Sequence, residues 1–168
     1  LVLCVVPFRR NELDKATMKT MTSLAIISIL VGDQDAALSF YTEKLGLEKR
    51  ADVTYGPGMR WVTVAPKGQR KPEIALAKPA AQLHSITADQ HVIEQSSQTI
   101  SGIFDTEDCC KMYSTLLARG VRFLRPPTKQ LYGMEAVFED PYGNLFSLLE
   151  PSPEAYSMFK NARIGTAA

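Results

Sequence analysis

The sequence predicts an α+β domain made of two βαβββ modules, and three observations predict it. GMRWVTVAPKG at 58–68 and GMEAVFEDPYG at 133–143 align without a gap, sharing Gly58/Gly133, Met59/Met134, Val62/Val137, Pro66/Pro141 and Gly68/Gly143. The order of apolar runs and breakers around this phrase is the same in both halves, and Pro79 and Pro151 close the halves at equivalent places. At 168 residues the chain buries one core, so two small halves share it.

Taken in order, SLAIISILVGD (23–33) is dense in β-branched residues and reads as a buried strand ending at Gly32. Asp33 is an N-cap candidate for the helix that follows, where Ala37, Leu38, Phe40, Tyr41 and Leu45 recur at helical spacing and Gly46 supplies the stop. LEKRADVTYG, MRWVTVAP and PEIALAKP read as three strands, with PKGQRKP turning between the last two. TISGIFDTED (99–108) is the next strand and runs to a cap at Asp108. CCKMYSTLLARG is a helix stopped at Gly120, and VRFLRPP, MEAVFEDP and NLFSLLEP are the closing strands. A single module has one apolar sheet face and few partners for it. Two modules packed edge to edge are therefore expected to make one curved eight-stranded sheet around a cleft, with each helix on the outer face of its own half.

The domain is assigned to residues 21–151, comprising a first module 21–79, a joining segment 80–98 and a second module 99–151, with a tail over 152–168. LVLCVVPFRR opens residues 1–20, which are read as an extension outside the fold. The rival reading is an extra edge strand from Leu1 to Val6. Its apolar stretch is far short of the roughly 20 residues that span a bilayer, and no basic n-region precedes it.

Net charge is +1 with mixed signs, which gives no electrostatic reason to expect nucleic acid or an anionic membrane. Three cysteines, Cys4, Cys109 and Cys110, form no disulfide framework and no CxxC pair, so a reducing cytoplasm is the expected compartment.

VGDQDAALSFYTEKLGLE and the closing phrase FEDPYGNLFSLLEP, with its DPxGN turn at Asp140–Asn144, resemble the vicinal oxygen chelate superfamily over roughly residues 23–151. That superfamily groups glyoxalase I, extradiol dioxygenases, fosfomycin-resistance enzymes and bleomycin-resistance proteins. The resemblance implies the paired-module fold, a homodimer, and in the enzymes a divalent metal held by His, Gln or Glu from the first and last strands of each module. Carried onto this chain, those four positions are Ile26, Ala75, Ser101 and Ser147. Ile and Ala cannot coordinate, and a neutral serine hydroxyl is a poor donor to a divalent ion. A shift of one residue would recover Glu73 alone. No metal and no other cofactor is therefore expected.

The remaining candidates line the expected cleft. Arg60 and Trp61 are neighbours on one strand and must point to opposite faces, so one of them enters. Trp61 would offer a stacking surface for a planar or apolar ligand. Gapless alignment pairs Arg60 with Glu135, placing a cation and an anion at pseudo-symmetric positions that would orient a polar ligand if both face inward. Tyr132, in the KQLYG loop, together with Ser28, Ser101 and Ser147 would supply hydroxyls, and Ile26 an apolar wall. His84 and His91 read as exposed residues of the joining segment. Cys109 and Cys110 read as packing residues, although a helix start can depress a thiol pKa. Asp140 and Asn144 read as turn chemistry. The function expected is binding of a small aromatic or amphipathic molecule without a metal. The alternatives are a metal-dependent lyase or dioxygenase with atypical ligands, and a metal-independent enzyme of the same fold.

Overall fold

The computed structural model describes residues 23–79 and 99–157. The extension, the joining segment with His84 and His91, Cys4 and the end of the tail lie outside the described residues. Each half follows the predicted order. The first comprises β1 (Ile26–Leu30), α1 (Gln34–Ser39), β2 (Glu48–Gly56), β3 (Met59–Ala65) and β4 (Glu73–Ala77). The second comprises β5 (Ile100–Asp105), α2 (Cys109–Ala118), β6 (Arg122–Gln130), β7 (Gly133–Glu139) and β8 (Leu145–Pro151).

Both helix starts are capped as their sequences suggest. The Asp33 carboxylate accepts from the amides of Asp35 and Ala36 at 2.8 and 2.9 Å, and Asp108 accepts from Lys111 at 2.8 Å. Those amides hold the Asp33 carboxyl below its ordinary pKa. Beyond α1 the chain widens into a π-helical turn, Phe40–Lys44, which the sequence did not signal. The extra residue lets the amide of Leu47 reach back to the Tyr41 carbonyl, whereas Val121 reaches Leu116 in the second half.

The eight strands form two four-stranded sheets, ordered β1-β4-β3-β2 and β5-β8-β7-β6, instead of one continuous sheet. In each, the first and last strands of the half run parallel and the other pairs run antiparallel. Each helix packs on its own sheet, and the two packed faces meet in one core containing Val31, Tyr41, Val62, Leu76, Phe138 and Phe146. The Tyr41 ring stands edge-on to Phe146, centroids 6.1 Å apart, which ties the first helical segment to the second sheet.

Polar contacts stitch the same seam. Tyr41 donates its hydroxyl to Asp140 Oδ2 at 2.8 Å, Tyr142 donates to the Asp33 carbonyl at 2.8 Å, and Asn144 Nδ2 donates to the Leu30 carbonyl at 2.9 Å. Asp140 is only 3% exposed. It also accepts from the amides of Tyr142 and Asn144, so the DPYGN turn closes on itself while clasping the other half. Asp140 and Asn144 are turn residues, as read, and the clasp is an addition.

The ladder corrects the gapless repeat. Thr63 pairs with Ala75 and Val137 pairs with Ser147, so Thr63 corresponds to Val137 and Trp61 to Glu135. Arg60 is thus not the counterpart of Glu135. The slip arises in the hairpins: Gly56 faces Met59 in the first half, while Gln130 faces Gly133 in the second. Gly58 is a turn residue and Gly133 already belongs to a strand. Among the described residues no helix is long and apolar enough to cross a membrane.

Candidate functional site

Strand alternation divides each sheet into a core face and an open face. In the first sheet Ile29, Val31, Val62, Val64, Ile74 and Leu76 point into the core. The open face carries Ile26, Ser28, Trp61, Thr63 and Ala75, since Ser28 and Thr63 both pair with Ala75. Val53 lies beside Trp61 across the ladder, and these two are 55% and 40% exposed. Thr63 donates to Glu73 Oε2 at 2.6 Å. A pocket of about 460 Å³ opens at this end of the sheet, with Tyr55, Met59, Trp61, Ala75 and Ala77 among its walls. That volume falls in the range of small-molecule sites.

Arg60 turns to the other face. Its Nε and Nη2 donate to the two oxygens of Asp52 at 2.7 and 3.0 Å, and its Nη1 reaches Asp35 in the first turn of α1 at 2.7 Å. The Arg60 hydrogen bonds hold the Asp52 carboxyl down at about 2. Of the two neighbours, Trp61 enters the open face, while Arg60 fastens β2 and β3 to the helix start and also borders the pocket.

The second sheet gathers a polar cluster on its open face. Glu135 is 5% exposed, and its Oε1 accepts from Ser147 Oγ at 2.5 Å. Its Oε2 accepts from the Tyr132 hydroxyl at 3.1 Å and from Arg125 Nη2. Loss of solvent, then the neighbouring Glu135, holds the Tyr132 hydroxyl above its usual pKa. Three of the sequence candidates, Tyr132, Glu135 and Ser147, thus form one network, and Arg125 is the member that sequence reasoning missed. The RPP at 125–127 suggested that the strand ended there, but β6 continues to Gln130. It can do so because it is an edge strand, where proline costs no ladder bond.

Ser101 stands apart. The β5–β8 ladder shifts between Ile100 and Gly102, leaving Ser101 in the irregularity and exposed.

The donor chemistry at the four ligand positions does not suit a divalent ion. Ile26 and Ala75 carry no donor atom, Ser101 is displaced, and the hydroxyl of Ser147 is committed to Glu135. Among the described residues no group of three or more His, Cys, Asp or Glu is placed to hold a metal.

Cys109 is buried at the start of α2 and Cys110 is exposed, both as free thiols. Burial, then Cys110 and Glu150, pushes the Cys109 thiol up to about 11, so the helix start does not activate it. A second cavity, about 360 Å³, lies at the seam between Leu45, Leu47, Phe104, Met112, Leu116 and Leu148, and touches none of the candidate residues.

With this geometry established, comparison with known proteins decides the family. The profile of the Glyoxalase/Bleomycin resistance protein/Dioxygenase superfamily matches residues 23–148. The chain belongs to that superfamily. The match agrees with the resemblance drawn from its opening and closing phrases. Within the superfamily it is similar to the protein YurT of Bacillus subtilis (strain 168), 38% identical over 131 residues that cover 76% of this chain and 98% of YurT. Among solved structures it is similar to UcmS2, with 38% identity and a TM-score of 0.68 over 78% of this chain and 99% of that one. It is also similar to TnmS3, an antibiotic binding protein from Streptomyces sp. CB03234, with 28% identity and a TM-score of 0.63 over 79% and 98% of the two chains.

Proposed function

We propose that this superfamily member binds a small aromatic or amphipathic organic molecule on the open side of its sheets, without a metal ion. The observation that carries the reading is the open face of the first sheet, where Trp61, Met59 and Tyr55 are 40%, 48% and 64% exposed around a pocket. Apolar side chains of that size stay exposed at a cost, and gathered at a pocket they favour an apolar partner. The similarity to TnmS3, described as antibiotic binding, supports a small organic ligand. The proposed ligand-binding set is Ile26, Ser28, Trp61, Tyr132, Glu135 and Ser147, to which Arg125 is added.

Ile103 on the second sheet is also 60% exposed and Leu30 on the first 52%. A homodimer that covers these faces and closes the site follows from the same principle. The cytoplasm fits the free thiols at Cys109 and Cys110. The metal-dependent alternative finds no suitable donor set among the described residues. For the metal-independent enzyme, Glu135 is a buried acid on the open face of the second sheet, and it is held by Ser147, Tyr132 and Arg125.

Trp61 is the sole tryptophan, so its fluorescence reports on the proposed site directly. Titration with planar aromatic compounds is expected to quench it saturably, and Trp61→Phe is expected to lose the signal while keeping the binding heat. Absence of saturable quenching and of binding heat across a broad aromatic and antibiotic panel would refute the reading.

A further inference from the structure

We infer that Arg125 is the polar anchor on the open face of the second sheet and selects ligands carrying an uncharged hydrogen-bond-accepting oxygen, of the carbonyl class. This rests on the ligand-binding reading above and names the chemistry it selects. A guanidinium has five N–H donors in a planar fork. In this structure Arg125 spends Nη2 on Glu135, while its Nε is buried without a hydrogen-bond partner among the described residues. A buried donor without a partner is uncommon in native proteins, and this one is enclosed by protein, so an incoming molecule must use the outer nitrogens of the fork. The Arg125 side chain is 43% exposed, so the rest of its fork is open to an incoming molecule.

The backbone has been arranged to present this side chain. The β6–β7 ladder shifts on both sides of Arg125, between Phe123 and Arg125 and again between Arg125 and Thr128. Phe123 faces Phe138 on the core side, and the first shift brings Arg125 opposite Val137, on the face of Glu135 and Ser147. Bulges re-aim side chains in this way. Around the guanidinium the same face is apolar, with Val137, Leu149 and Ile103 beside Glu135 and Ser147 in the ladders.

The charge of the ligand follows from the pair. Glu135 already neutralises Arg125, so a second carboxylate there would meet an anion and gain no net attraction. An ammonium group would meet the like charge of the guanidinium. A carbonyl oxygen accepts from the free donors without either penalty, and its apolar body covers Val137, Leu149 and Ile103.

Three benzene derivatives of matched size test this by calorimetric or NMR titration: acetophenone, benzoate and ethylbenzene. The wild-type protein is expected to bind acetophenone about tenfold or more tightly than the other two, the ratio expected for one hydrogen bond to a charged donor. Arg125→Lys is expected to shrink that preference. Arg125→Met combined with Glu135→Gln, which leaves no buried lone charge, is expected to abolish the preference for acetophenone over ethylbenzene. Equal binding of acetophenone and ethylbenzene by the wild type, or an undiminished preference in the double variant, overturns the inference and leaves the ligand-binding reading standing. Failure of all three probes to bind overturns the inference, and the ligand-binding reading falls with it only if the broad aromatic and antibiotic panel also gives no binding.

Discussion

Tyr41 donates its hydroxyl to the buried carboxylate of Asp140, 2.8 Å away, and so joins a helical turn of the first half to the strand-connecting turn of the second. Asp140 keeps its donors from the amides of Tyr142 and Asn144 when that hydroxyl is removed. Tyr41→Phe is therefore expected to cost about 1–3 kcal/mol without unfolding the protein. Burial, then the Asp140 charge, raises the Tyr41 pKa far above its ordinary 10.0. Its contribution to stability is complete below about pH 10 and falls as pH rises further, because only the unfolded chain releases the proton. Urea unfolding between neutral and strongly alkaline pH should show that decline in the wild type and a shallower one in Tyr41→Phe. An equal alkaline slope in both would remove the clasp from the account.

Two glycines that look alike in sequence should respond very differently to alanine. A Cβ on Gly133, at φ +148°, would lie 2.1 Å from the Glu150 carbonyl oxygen and 2.9 Å from the Pro151 Cα, so backbone must move. A Cβ on Gly58, at φ +70°, meets nothing within 4 Å and pays only the left-handed backbone penalty. Gly58→Ala is expected to lose about 1 kcal/mol and Gly133→Ala several times more, by thermal or urea unfolding. Similar losses would contradict the one-residue offset between the hairpins.

Much of the fold was legible because the breakers are local. Asp33 and Asp108 cap helices, Gly46 and Gly120 stop them, and the strand order follows directly. The pairing of Ala75 with Ser147 as equivalent positions was also readable, since each lies centrally in its last strand and meets the first strand of its half. The equivalence of Arg60 and Glu135 failed because a gapless match cannot see that Gly58 and Gly133 do different work. Arg125 was hidden behind Pro126 and Pro127, which look like a strand end unless the strand is known to be an edge. Division into two sheets depends on which edges hydrogen-bond, and that is a tertiary property no local pattern encodes.

Ser147 should matter through Glu135. Removing its hydroxyl in Ser147→Ala strips one donor from a carboxylate that is 5% exposed, and a loss of about 1.5–3 kcal/mol is expected by urea unfolding. Ser28→Ala, an exposed position on the other sheet, is expected to change stability by no more than about 0.5 kcal/mol. If the two substitutions cost the same, Ser147 does not support the network.

The two thiols of α2 should separate cleanly. With its pKa pushed up to about 11 and its side chain buried, Cys109 stays protonated and shielded at neutral pH. Iodoacetamide at neutral pH, read by peptide mass spectrometry, is expected to label exposed Cys110 first and Cys109 only on unfolding. Early labelling of Cys109 would mean that the start of α2 opens in solution.

The most direct test of metal-free binding is a thermal-unfolding titration of the protein with aromatic compounds, run with and without a strong chelator and paired with elemental analysis of the same preparation. The account predicts no stoichiometric metal and the same ligand-induced rise in Tm under both conditions, about 2.7 kcal/mol at a ligand concentration 100 times Kd. Near one metal per subunit, with stabilisation lost on chelation, would contradict it and return the chain to the metal-dependent chemistry of its superfamily.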